Sequence, residues 1–175
     1  MNIEIRRADT NDASLISKLS TVTFLDTFSG TCTDDDIQLF VNNYFNTEQV
    51  YKELQDPFDF YFIAFINKEA VGYLRMKEEN TDVPVIKKYK AIELKRIYVL
   101  KEYHDKKIGA ALMKFALQLT AENRYEAVWL GVWEHNERAK TFYKKWGFID
   151  TGFTHDFPIG NTPQTDHWFM KLIGG

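Results

Sequence analysis

The feature of this 175-residue sequence that most constrains its fold is the stretch from Glu93 to Phe115, ELKRIYVLKEYHDKKIGAALMKF. A strand pattern runs into a short basic loop, and the loop leads directly into a helix that begins at Ile108. The first amides of a helix have no partner inside it, so such a junction is suited to hold a phosphate. Gly109 lets the main chain approach a ligand, and Lys106 and Lys107 add positive charge. Many such junctions bind nothing, so the stretch indicates a phosphate site without establishing one.

Hydrophobic periodicity along the rest of the chain predicts an α/β fold, with one mixed sheet and helices packed against it. Strands are predicted in residues 1–10 and at Phe60–Ile66, Ala70–Lys77, Glu93–Leu100, Val128–Trp133, Phe148–Phe153 and Trp168–Leu172. Helices are predicted after the capping residues Asn11 and Asp12, after Thr33, from Thr47, and over Ile108–Ala121 and Asn136–Trp146. Residues 78–90 carry charge and a proline, which predicts an exposed loop.

Composition favours one folded domain, which we expect over residues 1–173. Hydrophobic residues make up 45% of the chain, enough apolar material for a core. The net charge of −3 lacks the basic excess that nucleic-acid binding needs. Cys32 is the single cysteine, which excludes an internal disulfide and fits a reducing compartment. No secretory signal or membrane-length apolar run is visible, so we expect a cytoplasmic protein without a membrane partner.

A second stretch, Trp129 to Phe148, reads WLGVWEHNERAKTFYKKWGF. Together the two stretches resemble the GNAT superfamily of acetyl-CoA-dependent N-acetyltransferases. The positions that match the second family segment are Asn136, Ala139, Phe142, Tyr143, Gly147 and Phe148. The resemblance implies a mixed, mostly antiparallel seven-stranded sheet flanked by helices, acetyl-CoA as co-substrate, and no metal.

Further segments resemble the bacterial PaiA-type spermidine/spermine N-acetyltransferases within that superfamily. They are TFLDTF (Thr23–Phe28), FNTEQ (Phe45–Gln49), WLGVWEHNERA (Trp129–Ala139) and QTD (Gln164–Asp166) followed by Met170. This likeness implies direct transfer to a primary amine with both substrates bound together, a polyamine as the favoured acceptor, and a possible homodimer. Two alternatives stay open. One is a different acceptor, such as a peptide N-terminus, an amino acid or an aminoglycoside-like amine, and the other is a CoA-binding module with little catalysis.

The resemblance implies a cofactor site built largely from main-chain groups. Those of Ile97, Tyr98 and Val99 would pair with the pantetheine arm, as an added strand does. Asn136 stands at a predicted helix N-cap, and the resemblance adds a contact with the arm. The amides that would hold the pyrophosphate belong to Asp105, Lys106, Lys107, Ile108, Gly109 and Ala110.

The pyrophosphate loop departs from the family pattern at two positions. His104 stands where the family has a leading Gln or Arg, and Lys107 stands at the first glycine. A lysine at positive φ costs about 1 kcal/mol. Its ammonium can offset that cost by approaching the pyrophosphate, so we interpret the loop as a variant that binds CoA; a weakened site is the alternative.

The resemblance makes Tyr143 the candidate general acid, which would protonate the leaving CoA thiolate. The other interpretation is that Tyr143 only extends an aromatic core stripe. Glu93 is the candidate base, taking the amine proton through a water molecule, although an exposed carboxylate without a catalytic part fits the sequence equally well. His135 and His155 are further alternatives for the base.

The acceptor cleft is expected between the first helices and the end of a strand. The residues placed there are Phe24, Asp26 and Phe28 on one wall, and Trp133 and Glu134 on the other. Aromatic walls with spaced carboxylates suit a polyamine. The run at residues 34–36, three aspartates, is explained better by a helix start than by an ammonium trap.

Overall fold

The computed structural model describes residues 2–174, and a single sheet with helices on both faces organises them. The strands are β1 (Glu4–Arg7), β2 (Asp59–Ile66), β3 (Glu69–Lys77), β4 (Ala91–Val99), β5 (Ala127–Trp133), β6 (Ile149–Asp156) and β7 (Thr165–Leu172). The α-helices are α1 (Ala13–Phe28), α2 (Asp34–Tyr44), α3 (Thr47–Gln55), α4 (Ile108–Glu122) and α5 (Glu137–Lys145). Short 3-10 helices at Thr10–Asp12 and Lys101–Lys106 precede α1 and α4.

The strand order is β1-β2-β3-β4-β5-β7-β6, and every neighbouring pair is antiparallel except β4 with β5. The predicted mixed, mostly antiparallel seven-stranded sheet is therefore confirmed. The parallel pairing of β4 with β5 begins at Ala91↔Ala127 and ends at Glu93↔Trp129, although both strands continue. The two strands thus separate toward their carboxyl ends and leave a gap in the middle of the sheet.

A β-bulge in β4 directs two consecutive side chains to one side of this gap. The register of β4 against β3 shifts at Lys95. Leu94 and Ile97 both pack into the core beneath α4. The residues between them, Lys95 and Arg96, both line the space on the opposite side of the sheet. The bulge therefore places two cations where simple alternation allows one.

Apolar residues on the helices bury both faces of the sheet. Leu112 of α4 packs with Leu74 of β3, while Ile16 of α1 and Val50 of α3 pack against the other face. A third cluster joins α1 and α2 to the loop between β6 and β7; its buried members are Phe24, Phe28, Ile37, Phe40, Phe45 and Ile159.

The start of α2 also fastens the β6–β7 loop. Thr33 accepts a hydrogen bond from the Asp36 amide, which confirms the predicted helix start. The Asp36 carboxylate accepts hydrogen bonds from the Asn161 amide at 2.8 Å and from Thr162 Oγ1 at 2.7 Å. These bonds lower the pKa of Asp36, the Asn161 amide contributing most. Asp36 is thus engaged with the loop and does not face the acceptor as an ammonium trap would.

Two expectations about local structure are wrong. Neither Asn11 nor Asp12 caps α1 with its side chain; Asp9 is the N-cap of the 3-10 helix before it, and Asp12 accepts there from the Asp9 amide at 3.0 Å and pairs with Arg6 at 2.8 Å. The loop over residues 78–90 is not exposed throughout, since Ile86 is fully buried against β5 and β7. None of the helices in residues 2–174 is both long and apolar enough to cross a bilayer.

Candidate active site

The gap between β4 and β5 leaves one main-chain edge of β4 open. On the β3 side, the Leu100 amide donates to the Val71 carbonyl at 2.9 Å. Hydrogen-bonding directions alternate along a strand, so the main-chain groups of Ile97 and Val99 point toward the gap and those of Tyr98 point toward β3. The main-chain groups of Ile97 and the amide of Val99 therefore face the open edge, while the Val99 carbonyl accepts from His104.

A cavity of about 680 Å³ lies beside this edge, between α5 and the start of α4. Lys107 joins the preceding 3-10 helix to α4 and has a left-handed φ of 60°. The Ala111 amide donates to the Lys107 carbonyl at 3.0 Å, which makes this the first bond of α4. The amides of Ile108, Gly109 and Ala110 precede it and have no partner within the helix. We call this space the CoA-side cavity.

The structure narrows the predicted set of pyrophosphate amides. Asp105 and Lys106 lie in the 3-10 helix Lys101–Lys106, where amides donate to carbonyls three residues back. Neither side chain lines the CoA-side cavity, and Lys106 Nζ lies 4.2 Å from the centroid of the Tyr103 ring. The start of α4 is consequently the part of the loop that faces the cavity.

His104 links this loop to α5. Arg138 Nη1 donates to His104 Nδ1 at 2.7 Å, so Nε2 carries the ring proton and donates to the Val99 carbonyl at 2.9 Å. The bond holds Arg138 at the CoA-side cavity, which Lys101 and Lys107 also line. The sequence reasoning missed Lys101 and Arg138. These cations and the free amides fit a phosphate-bearing ligand.

A second cavity of about 540 Å³ lies on the other side of the gap, against α1, α2 and α3. Phe24 and Phe28 line it as predicted, and so does Trp133. We call it the acceptor cavity. The residues that line both cavities are Ile97, Tyr98, Trp133, Asn136, Ala139 and Tyr143. The two cavities therefore meet at the gap.

Two of the predicted acceptor residues lie elsewhere. Asp26 lines the CoA-side cavity, because residues two apart on a helix face different directions and its neighbours Phe24 and Phe28 point into the acceptor cavity. Glu134 lines neither cavity. Its amide donates to the Thr165 carbonyl at 2.9 Å at the end of β5.

Comparison with known proteins decides the family. Residues 25–148 match the model of the acetyltransferase (GNAT) family. The chain belongs to the GNAT family. An uncharacterized N-acetyltransferase from Lactobacillus delbrueckii subsp. lactis is 30% identical to it over 172 residues, 98% of each chain.

Two proteins of Thermoplasma acidophilum are also similar to this GNAT protein. A spermidine N(1)-acetyltransferase is 27% identical over 152 residues, 85% of this chain and 89% of the relative. The crystal structure of a PaiA N-acetyltransferase in complex with coenzyme A superposes with a TM-score of 0.79 at 22% identity, covering 98% and 99% of the two chains. The GNAT protein is thus an N-acetyltransferase with acetyl-CoA as co-substrate, which confirms the predicted enzyme class. In residues 2–174, no group of three or more His, Cys, Asp or Glu side chains is arranged to hold a metal ion.

Tyr143 stands where the cavities of this GNAT enzyme meet. The position is set by α5, whose first turn is capped by Asn136 Oδ1 accepting from the Ala139 amide at 3.0 Å. The Tyr143 ring also packs on Phe148, with ring centroids 5.8 Å apart. Burial, and secondarily the charge of Asp166, raises the pKa of Tyr143, so the phenol keeps its proton at neutral pH. Tyr143 therefore packs in the core and also lines both cavities.

Glu93 lines the acceptor cavity and is only 5% exposed, so the description of it as an exposed carboxylate is wrong. Lys95 Nζ lies 2.9 Å from Glu93 Oε2 and 2.7 Å from Glu79 Oε2. Burial raises the pKa of Glu93, the Lys95 charge opposes this, and Glu79 adds to it. Glu93 therefore belongs to a small ion-pair cluster.

A buried charge network underlies the acceptor cavity. Arg75 donates to both carboxylate oxygens of Asp59, at 2.9 and 2.6 Å, and lies 3.1 Å from Glu53. Tyr61 donates its hydroxyl to Glu53 at 2.5 Å and accepts from Arg96 at 3.1 Å. The network fixes α3 against β2, β3 and β4, and thereby fixes one wall of the cavity.

The sequence reasoning missed Asp166 as a site residue, although its QTD segment contributed to the family likeness. Asp166 lies on β7 and lines the acceptor cavity. Trp168 and Met170 follow it at alternate positions and pack with Trp129 of β5. A carboxylate on the packed face of a strand is unusual. The alternation of Asp166 with Trp168 and Met170 along β7 is therefore the sequence signal that could have identified Asp166 as a site residue.

Proposed function

We propose that this N-acetyltransferase acetylates a primary amine of a polyamine, with spermidine or spermine favoured. The observation that carries the proposal is an acceptor cavity that meets the CoA-side cavity at Tyr143 and combines aromatic rings with carboxylates. Those carboxylates belong to Glu53, Glu93, Asp156 and Asp166. Rings attract ammonium groups, and carboxylates separated by apolar surface match charges separated by methylenes. The similar spermidine N(1)-acetyltransferase of Thermoplasma acidophilum supports the same class of acceptor.

Acetyl-CoA supplies the activated acetyl thioester. The amides at the start of α4 would hold its pyrophosphate, helped by the cations Lys101, Lys107 and Arg138. The open edge of β4 at Ile97 and Val99 would hold the pantetheine arm. Fixing both substrates at one junction converts the encounter into reaction between oriented groups, which is a large part of the rate enhancement.

The side chains at the junction would then move protons. Tyr143 is placed to donate its phenolic proton to the leaving sulfur, since its raised pKa keeps it protonated. A carboxylate of the acceptor cavity would accept the proton of the incoming ammonium. Glu93, acting through a water molecule, is the candidate that the sequence indicates.

A second candidate acceptor carries a carboxylate as well as an amine. Arg96 lines the acceptor cavity and lies 4.6 Å from the centroid of the Phe45 ring. Within residues 2–174 its guanidinium donates one hydrogen bond, to Tyr61, and lies 3.8 Å from Glu53 Oε2. Its remaining donors favour a carboxylate ligand. An amino acid or a peptide fits this observation.

The test measures thiol release from acetyl-CoA with spermidine, spermine, lysine and a short peptide. We expect release with the polyamines and a kcat reduced about 10²- to 10⁴-fold in Tyr143→Phe. Tyr51→Phe is the matched control, because Tyr51 is exposed on α3 and lines neither cavity.

Two other results would redirect the proposal. Release with lysine or the peptide alone would favour the carboxylate-bearing acceptor. CoA binding by calorimetry without release from any amine would favour a binding module, for which the departures at His104 and Lys107 are the argument.

Three further expectations stay predictions: one domain over residues 1–173, a cytoplasmic location, and a homodimer. Light scattering on the purified protein tests the dimer. A monomeric mass at micromolar concentration would contradict it.

A further inference from the structure

Asp166 is a half-buried carboxylate that lines the acceptor cavity. It pairs in register with Trp133 on one side and with His155 on the other, so all three side chains share one face of the sheet. No side chain within residues 2–174 hydrogen-bonds to its carboxylate, and its surroundings act on it only through burial and charge. Carboxylates withdrawn from water are usually paired, so the Asp166 carboxylate, which no side chain holds, is available to a ligand.

The neighbouring strand is built to admit this carboxylate. Gly131 interrupts an otherwise apolar run in β5. A Cβ at Gly131 would lie 2.9 Å from Asp166 Oδ2 and 2.8 Å from Trp168 Cζ3. Only a glycine leaves room for both side chains, and glycine inside a strand often marks a close approach of this kind.

Glu93, a more deeply buried carboxylate of the same cavity, is in a different position. Its oxygen lies 2.9 Å from the Lys95 ammonium, which Glu79 shares. A carboxylate held by a lysine is less available to an incoming ammonium. Asp166 has no such counter-ion and lies close enough to Tyr143 for its charge to act on the phenol.

We propose that Asp166 takes the proton directly from the acceptor ammonium, while Tyr143 serves the leaving sulfur. This inference rests on the proposed function and names the base within it. Glu93, with Lys95, is then a positioning residue that shapes the cavity and its charge.

In the proposed reaction, the acceptor ammonium first gives one proton to the Asp166 carboxylate and becomes a neutral amine. Its nitrogen bonds to the acetyl carbon, the carbon–sulfur bond breaks with its electron pair leaving on sulfur, and sulfur takes the phenolic proton of Tyr143. The remaining excess proton on nitrogen returns to the Tyr143 oxygen, and Asp166 releases its proton to solvent. Each turnover yields an amide, the CoA thiol and one proton.

The electrostatic setting suits this role. Burial raises the pKa of Asp166 to about 7; His167 on β7 lowers it and Glu93 on β4 raises it. Arg75, Lys95 and Arg96 are the cations of the same cavity. Its other titratable residues are Tyr44 on α2, Glu53 on α3, Tyr98 on β4, Tyr143 on α5, and His155 and Asp156 on β6. A base that titrates near neutral pH accepts a proton from an ammonium more readily than an ordinary carboxylate does.

The test compares Asp166→Asn, Glu93→Gln and wild type by the pH dependence of kcat/KM with the best acceptor. In Asp166→Asn we expect a loss of about 10²-fold near pH 7 that shrinks toward pH 9.5, where the free amine itself becomes abundant. Asp82→Asn is the matched control, since Asp82 lies exposed in the loop between β3 and β4 and lines neither cavity. A pH-independent loss in Asp166→Asn, or the described profile in Glu93→Gln instead, would overturn the assignment.

A second readout does not depend on activity. Because the folded pKa of Asp166 lies above its unfolded value, ionised Asp166 destabilises the native state, and the penalty grows as pH rises from about 4 to 7. Asp166→Asn should therefore gain in Tm relative to wild type over that interval. An unchanged difference in Tm would show that Asp166 does not titrate as inferred. If no amine supports wild-type turnover, the proposed function fails while this measurement still reports on Asp166.

Discussion

The two halves of this active site are built in different ways. The CoA-side cavity depends on main-chain geometry within a few neighbouring residues: an open strand edge, a left-handed Lys107 and the free amides of α4. The acceptor cavity depends on side chains from α1, α2, α3, β4, β5, β6 and β7. Binding the common co-substrate therefore rests mainly on one segment, residues 97–110, with α1 and α5 completing the walls, whereas selecting the amine needs side chains from most of the fold.

Their electrostatics differ in the same way. Arg138 and Lys107 at the CoA-side cavity are exposed, so solvent and salt screen them. Arg75 under the acceptor cavity is buried with Asp59 and Glu53, so each charge depends on its partners. Substitutions of the exposed cations at the CoA-side cavity should consequently change CoA binding. Substitutions in the buried charge network under the acceptor cavity should change the stability of the fold.

The largest effect is expected for Arg75→Met, which leaves Asp59 buried without its cation and Glu53 with only Arg96, 3.8 Å away. Breaking a buried pair by removing one partner costs about 3 to 5 kcal/mol, a large fraction of the stability of a domain. Urea unfolding followed by circular dichroism measures the loss. The control is Lys52→Met, which removes the exposed ion pair with Glu48 on α3 and should leave the midpoint unchanged. Equal effects of the two substitutions would contradict the distinction between buried and exposed charges.

A smaller effect is expected for Gly131→Ala, which introduces a Cβ against Asp166 and Trp168 at distances below 3 Å. Overpacking of this kind costs about 1 to 3 kcal/mol. We expect kcat/KM for the acceptor to fall about tenfold, the equivalent of 1.4 kcal/mol, with CoA affinity unchanged by calorimetry.

Gly109→Ala provides the opposite case on the CoA side. A Cβ there would meet Phe142 and Val99 no closer than 3.9 Å, so the protein tolerates it. Stability should not fall, whereas CoA affinity should fall because the methyl group stands at the free amides. A Gly109→Ala enzyme with unchanged CoA affinity would contradict the placement of the pyrophosphate at the start of α4.

The sequence predicted the local half of the site well. Strand β4, helix α4, strand β5 and helix α5 were predicted with their ends within a few residues, because periodicity and capping residues are local signals. The positive φ of Lys107 was anticipated from its place in the loop. The seven-stranded sheet came from the family resemblance, since strand order cannot be read from periodicity.

The acceptor half was predicted less well for physical reasons. The bulge at Lys95, which turns Arg96 into the cavity, depends on the pairing of β4 with β3. Asp166 acquires its environment only when β7 pairs between β5 and β6 and Gly131 admits its carboxylate. Asp26 was predicted on the same wall of the acceptor cleft as Phe24 and Phe28. Residues two apart on a helix face different sides, so Asp26 lines the CoA-side cavity instead.

The smallest effect concerns Lys107, whose left-handed conformation stores strain that glycine would relieve. We expect Lys107→Gly to stabilise the fold by about 1 kcal/mol. Arg124→Gly is the matched control, because Arg124 also has a positive φ, of 57°, beyond the far end of α4 and away from both cavities. Both variants should raise Tm by similar amounts.

Only Lys107→Gly should weaken CoA binding, by a few-fold at low ionic strength and less at high salt, because it removes an exposed ammonium beside the pyrophosphate site. Unchanged CoA affinity in Lys107→Gly would mean that the lysine is tolerated at this position without contributing to the phosphate site.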